Sequence, residues 1–319
     1  MTSEVTVLGG ITSLLLALAL AAPWVPWFHT PTTEAATGRR SRDDMPDATV
    51  QVIGPRLGKS DYFRACWRQR TLLWYFARRD LVVRYRQTLL GVAWVLLRPA
   101  LGMGVLGFLF GTLGNLPSHG LPYPLIVLVG MMGWQFVASV VGEGTGSIAN
   151  SPSLITKVYF PRLLMPAAGL LLNGVDFAVL VIFVFVAMAC YGVFPPIQAV
   201  LAPLAFPGLV ATALGLACWT SALAVRFRDL RALVPVGLQY GLLVSPVAYL
   251  SSSLPAAWAW TAWVNPVSAS IEWLRWCLLP GIPFPDTGLL TTSSVVALVL
   301  LWSGLRYFRH AESRFADVL

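Results

Sequence analysis

The stretch VDFAVLVIFVFVAMAC, residues 175–190, decides the fold class. It carries one charged side chain, Asp176, and its apolar residues do not alternate with polar ones as they would in the strands of a membrane barrel. With its apolar flanks the run extends over 168–191, longer than the roughly 20 residues an α-helix needs to cross a bilayer. Five more apolar runs, bounded by Pro, Gly and charge, lie near 90–114, 122–142, 199–225, 232–250 and 288–307. The whole chain of 319 residues is 57% hydrophobic and 11% charged, less than half the charged share of a soluble domain, which is about a quarter. These features predict an all-α polytopic membrane protein with six transmembrane helices.

Cations orient the spans, because Lys and Arg accumulate in short cytoplasmic loops. Residues 39–86 hold twelve of the 22, and the 143–167 loop holds Lys157 and Arg162. Arg226, Arg228 and Arg231 stand in the turn at 226–231, and Arg306, Arg309 and Arg314 in the tail. The alternate loops at 115–121 and 192–198 hold none, and the connection 251–287 holds only Arg275. Both ends of the six-span unit are therefore expected in the cytoplasm, with the protein in the cytoplasmic (inner) membrane.

Two units are expected: residues 1–60, an apolar segment followed by a linker rich in Thr, Pro, Arg and Asp, and residues 61–319, the membrane domain. The apolar head at 5–22 lacks the basic start of a secretory signal. It is read as an extension upstream of a start at Met45, with an extra span as the alternative.

Several function classes find no support. The net charge of +8 reports topology here rather than nucleic-acid binding. Cys66, Cys190, Cys218 and Cys277 form no CxxC pair, and His29, His119 and His310 are scattered, so neither a disulfide framework nor a metal site is expected. IGPRLGKS, residues 53–60, resembles a phosphate loop, but Gly54 and Gly58 enclose three residues where GxxxxGK[ST] needs four. The chain is not expected to hydrolyse ATP, to bind a cofactor or to perform covalent chemistry. A membrane transferase would need a cluster of acids, histidines or nucleophiles at one face, and a proton-coupled carrier would need paired ionisable groups within the spans.

Four segments carry chemistry. Residues 72–86, LLWYFARRDLVVRYR, are predicted to form a helix in the cytoplasmic headgroup layer, with Trp74, Leu81 and Tyr85 on one side and Arg79, Asp80, Arg84 and Arg86 mostly opposite. Such a helix either anchors to anionic lipid or gates a phosphate-bearing amphiphile, since guanidinium groups bind phosphate through forked hydrogen bonds. The loop 151–166, SPSLITKVYFPRLLMP, reads as a docking element whose Ile155, Val158, Tyr159 and Phe160 enter a cleft on a cytoplasmic partner. Residues 251–287 hold five of the thirteen tryptophans, which form an interfacial belt or line a sugar path. Within them Glu272 and Arg275 are spaced i, i+3 to pair on a helix too short to cross. Asp176 and Arg98 are the clearest ionisable groups inside spans; Asp176 is read as a packing and hydrogen-bonding acid.

From Leu72 to Leu319 the sequence resembles the membrane subunit of ABC-2 type polysaccharide exporters, which move O-antigen, capsule or teichoic-acid chains. Five blocks in order carry the resemblance: RDLVVRYRQTLLGVAWVLLRP (79–99), LITKVYFPRLLMP (154–166), RFRDLRALVPVGLQYGLLVSPVAY (226–249), NPVSASIEWLRW (265–276) and ESRFADVL (312–319). It implies a six-transmembrane-helix ABC-2 type permease with an interfacial gate helix at 72–86, a coupling helix within 151–166 and short re-entrant outer helices at 252–285. It also implies a homodimer with two copies of a separate ABC ATPase, which binds the ATP and Mg, and a lipid-linked glycan as substrate. The substrate path then falls to Arg84, Arg86, Trp94, Arg98, Trp273, Arg275 and Trp276, and ATPase coupling to Ile155, Lys157, Val158, Tyr159, Phe160 and Arg162. Arg98, where an uncharged polar residue is expected, meets the phosphate with Arg84 and Arg86 or snorkels to lipid alone. The alternative within the family is an exporter of a drug or a simple lipid.

Overall fold

A computed structural model of the protein describes residues 59–86, 93–151, 160–312 and 315. Of the expected head and linker at 1–60, residues 1–58 lie outside the described residues and Lys59 and Ser60 open a helix rather than a linker; also outside are Ile155, Lys157, Val158 and Tyr159 and the side chains of Arg86 and Trp94.

Among the described residues all regular structure is helical. Two helices, α1 (Lys59–Arg68) and α2 (Arg70–Arg86), precede the first span, α3 (Ala93–Gly107), which continues into a π-helical turn at Phe108–Leu113. Then come α4 (Tyr123–Ser147), α5 (Leu164–Cys190), a 3₁₀ segment at Ile197–Ala205 that runs into α6 (Phe206–Arg226), and α7 (Leu230–Val244). Two short helices, α8 (Ala259–Val264) and α9 (Ser268–Leu278), lead to α10 (Thr287–Glu312).

Five helices are long and apolar enough to cross a membrane: Val95–Leu113, Tyr123–Ser147, Leu164–Cys190, Ile197–Arg226 and Thr287–Glu312. The sixth predicted span, 232–250, is a helix only to Val244. Its 15 residues reach about 22 Å at 1.5 Å per residue, short of the hydrocarbon thickness of about 30 Å. Pro246 ends it: the residue before a proline is pushed out of the helical region, and Ser245 is extended at φ −78°, ψ 150°.

Helix α4 is the centre of the bundle, with 17 of its 25 residues buried, whereas α7 buries none of its own. Its apolar side chains pack with α3, α5, α6, α7 and α9. Thr145 and Thr220, near the C-terminal ends of α4 and α6, meet at 2.9 Å, so these helices run parallel. Between α6 and α10 the backbones touch: a Cβ on Gly304 would lie 2.4 Å from the Gly215 carbonyl oxygen. Close approach through small residues is how helices gain contact where lipid removes the hydrophobic drive between them. Beside it the Trp219 and Tyr307 rings stack at 4.3 Å and 11°.

Helix α2 is where the interfacial helix was expected, over Arg70–Arg86. Trp74 is 60% exposed, Ala77 is buried at 4%, and Arg84 turns inward against α4 and α5. The counter-charges Glu143 and Asp176 on those two helices hold it there.

Candidate functional site

Charged side chains gather at both ends of α4. Toward its C-terminus, Arg84 of α2 reaches between α4 and α5. Its Nη1 donates to Asp176 Oδ2 at 2.5 Å and to Asn173 Oδ1 at 3.4 Å, while Nη2 forms an ion pair with Glu143. Asn173, 1% exposed, donates through Nδ2 to Glu143 Oε2 at 2.9 Å and to the Gly169 carbonyl at 2.9 Å. Two acids, one amide and one guanidinium thus fasten α2 to the bundle. Asp176, expected to hydrogen-bond a partner on another helix, does so here while keeping 16% side-chain exposure. Arg84, expected on the substrate path, lies at this end of the bundle with its donors engaged by carboxylates, and its side chain keeps 30% exposure. Arg98 is exposed on α3.

At the same end a second polar knot joins three segments far apart in sequence. Glu312, in the last turn of α10, accepts the Tyr62 hydroxyl of α1 at 2.7 Å on Oε2 and the Arg162 backbone N–H at 2.8 Å on Oε1. Arg162 Nη1 also donates to the Glu312 carbonyl at 2.5 Å. The Arg309 guanidinium lies 4.8 Å from the Tyr62 ring centre. Burial, and then the neighbouring Glu312 carboxylate, push the Tyr62 phenol far above its ordinary range, so it stays a donor. Burial and then Glu312 also push the Cys66 thiol up to about 11, which leaves it protonated rather than nucleophilic at neutral pH.

Phe160 was predicted to insert into a partner. It is 3% exposed and packs on Phe76 at 5.6 Å between ring centres, inside a cluster with Tyr62, Ile148 and Phe315, so its ring faces the chain's own interior. A large aromatic ring next to Pro161 gains more from that apolar cluster than from solvent. Arg162 likewise binds Glu312. Both residues anchor the end of the loop.

The other end of α4 holds Arg275, fully buried, about 25 Å from Glu143 along the axis at 1.5 Å per residue over Ile126 to Glu143. Its Nη2 donates to the Val247 carbonyl at 2.6 Å, its Nη1 to the Tyr249 carbonyl at 2.8 Å and to Glu272 Oε1 at 3.0 Å, and its Nε to the Ile126 carbonyl at 3.3 Å. Tyr123 donates to the Ala248 carbonyl at 2.7 Å, and the Ser251 N–H donates to Glu272 Oε1 at 3.0 Å. Backbone that leaves a helix at membrane depth must find partners inside the protein. Here the carbonyls of 247, 248 and 249, freed by the break at Pro246, are each taken up by a side chain. The i, i+3 pairing of Glu272 with Arg275 is as predicted. The placement of Arg275 on the substrate path is corrected: with 0% side-chain exposure and every hydrogen bond internal, it presents no surface to a passing molecule.

Trp273 and Trp276 emerge from the remaining face of α9, nine of whose eleven residues are buried. They contact each other at 5.2 Å and Phe284 at 6.1 and 5.1 Å, and the Trp273 indole donates to the Leu201 carbonyl at 3.0 Å. They gather with Arg275 at one end of α4, whereas Arg84, Phe160 and Arg162 gather at the other. Sequence reasoning missed Asn173, the carbonyls that Arg275 serves and the Tyr62–Glu312 contact. Only the ESRFADVL block gave any signal for the last. Among the described residues no group of three or more His, Cys, Asp or Glu side chains is placed to hold a metal ion.

The sequence model of the ABC-2 type transporter family matches residues 71–279. Among curated proteins the chain is 28% identical to an O-antigen export system permease protein RfbA of Klebsiella pneumoniae, over 78% of this chain and 95% of that one. It is 29% identical to the protein of the same description from Myxococcus xanthus, over 80% and 97%. The polysialic acid transport protein KpsM of Escherichia coli is 21% identical over 73% of this chain and 91% of its own.

Proposed function

The chain belongs to the ABC-2 type transporter family, and from that premise we propose that it is the membrane permease of an ATP-driven exporter of a lipid-linked polysaccharide. The match to O-antigen export permeases over 95% and 97% of their lengths carries this reading over export of a drug or a simple lipid. The chain is a multi-pass membrane protein, with 57% hydrophobic residues and five helices able to span.

In this reading the Arg84 end faces the cytoplasm, in agreement with the distribution of Lys and Arg. Two copies of the chain face each other, each bringing the exposed α3 with Arg98 to a shared path, and the apolar, unburied α7 flanks it. Two copies of a separate ABC ATPase, which holds the ATP and Mg, press on the loop at 151–166 through Ile155, Lys157, Val158 and Tyr159. ATP binding tilts the two halves and opens the path. A phosphate on the lipid-linked end competes with Glu143 and Asp176 for Arg84, with Arg86 and Arg98 beside it, and this frees α2 to move as the gate. The sugar chain follows past Trp94 and then Trp273 and Trp276, whose ring faces suit the C–H faces of sugars. Short helices α8 and α9 close the outer side. Arg275 holds that closure together from inside and does not touch the glycan.

Affinity purification from native membranes tests the assembly. The tagged chain is expected to bring down a P-loop ATPase in a one-to-one ratio, and Val158→Ser with Tyr159→Ser is expected to release it. No ATPase with the wild-type chain would overturn the family role; full retention by the double variant would overturn the docking site alone.

A further inference from the structure

Glu312 stands at an electrostatically unfavourable place. The last turn of a helix carries the negative end of the macrodipole, where a carboxylate is repelled and Lys or Arg is preferred. Arg309 and His310 follow that preference; Glu312 does not. Its position is explained by tertiary partners: the Tyr62 hydroxyl, 250 residues away in sequence, and the Arg162 N–H, 150 residues away. A carboxylate that accepts from two segments at 2.7 and 2.8 Å fixes both relative to its own helix.

The surroundings stiffen the joint. Arg162 is tied twice to residue 312, once by its backbone N–H and once by its guanidinium, so Arg162 and the end of α10 are held together. Phe315, 2% exposed, sits against Phe308 at 5.5 Å and lies 6.0 Å from the Arg162 guanidinium. On the α1 side, Arg309 covers the Tyr62 ring, and Tyr62 itself is 7% exposed. Helix α1, Arg162 and the end of α10 thus meet at one carboxylate.

We propose that Glu312 is the joint through which displacement of the 151–162 loop is delivered to α1 and α10, and so a positioning residue for transport rather than a substrate or ATPase contact. The inference rests on the reading of that loop as the surface an ATPase presses on. Without the joint, the motor moves the loop and its two neighbours stay behind. The consequence is hydrolysis without export.

The test uses the full chain with its ATPase in proteoliposomes loaded with a lipid-linked glycan, and reads glycan exported per ATP hydrolysed. Glu312→Gln keeps an acceptor oxygen but loses the charge, and Tyr62→Phe removes one donor. Glu312→Gln is expected to keep ATPase association and hydrolysis within about twofold while exported glycan per ATP falls about tenfold. Tyr62→Phe is expected to fall less, and the double variant no further than Glu312→Gln, because the two groups act through one bond. Unchanged export per ATP in Glu312→Gln would overturn the proposal. So would a loss of export and hydrolysis in equal proportion to the loss of folded complex, which is the signature of a structural staple. Absence of any ATPase from the wild-type preparation would sink the functional reading first and this joint with it.

Discussion

Arg275→Met is expected to abolish nearly all folded protein recovered from the membrane, measured as the monodisperse fraction after detergent extraction. The substitution keeps the apolar stem but strands Glu272 and the carbonyls of Val247 and Tyr249 in a site with no exposure. Breaking a buried pair by removing one partner costs about 3–5 kcal/mol, a large share of a total stability of about 5–15 kcal/mol. Arg275→Lys is expected to fail almost as badly, because a single ammonium cannot reproduce a fork that serves three backbone carbonyls and a carboxylate. Glu272→Met together with Arg275→Met is expected to recover only part of the yield, since the charge is gone but the carbonyls remain without donors. Gly130 belongs to the same knot: a Cβ there would lie 2.3 Å from the Val247 carbonyl oxygen and 2.7 Å from Arg275 Nη2. Normal recovery of Arg275→Met would mean that the unwound stretch after Pro246 is held by something else.

Arg84→Gln is expected to lower export about tenfold or more, with the protein still inserted. Without the guanidinium, Glu143 and Asp176 face each other at the α4–α5 boundary, and α2 loses its fastening. The three side chains keep 30%, 32% and 16% exposure, so screening reduces the cost to about 1–3 kcal/mol, less than for a fully buried pair. A triple variant, Arg84→Gln with Glu143→Gln and Asp176→Asn, separates two roles. It removes the repulsion and is expected to restore folded yield, yet export stays low because the guanidinium that a phosphate draws away from the two acids is gone and Arg86 and Arg98 alone do not release α2. Export restored to the wild-type rate would make Arg84 a fastener only.

Much of this architecture is legible in the sequence because lipid imposes long apolar runs and cations mark the loops. The runs at 122–142, 168–191, 199–225 and 288–307 become helices with ends shifted by a few residues. The run at 232–250 does not. Its hydropathy is continuous, but Pro246 breaks it, and the break survives only because Arg275 and Tyr123 accommodate the freed carbonyls. Local pattern shows the proline; it does not show donors contributed from 26 to 125 residues away. The same limit applies to α2 and the loop. Arg84 looks like a free cation until Glu143 and Asp176 are brought beside it, and Phe160 looks like an external anchor until Phe76 covers it. Pairing at i, i+3, as in Glu272 with Arg275, is visible because one helix contains both partners.

The chain is expected to carry a lipid-linked polysaccharide across the membrane under power supplied from its arginine-rich side. Inverted membrane vesicles containing the chain, its ATPase and a radiolabelled lipid-linked glycan measure this directly, by following glycan that becomes protected from added glycosidase. The expected result is protection that rises with ATP, is absent with a non-hydrolysable analogue and is lost in Arg84→Gln. Equal protection with and without ATP, or ATP-driven uptake of a simple lipid while the glycan stays outside, would contradict it.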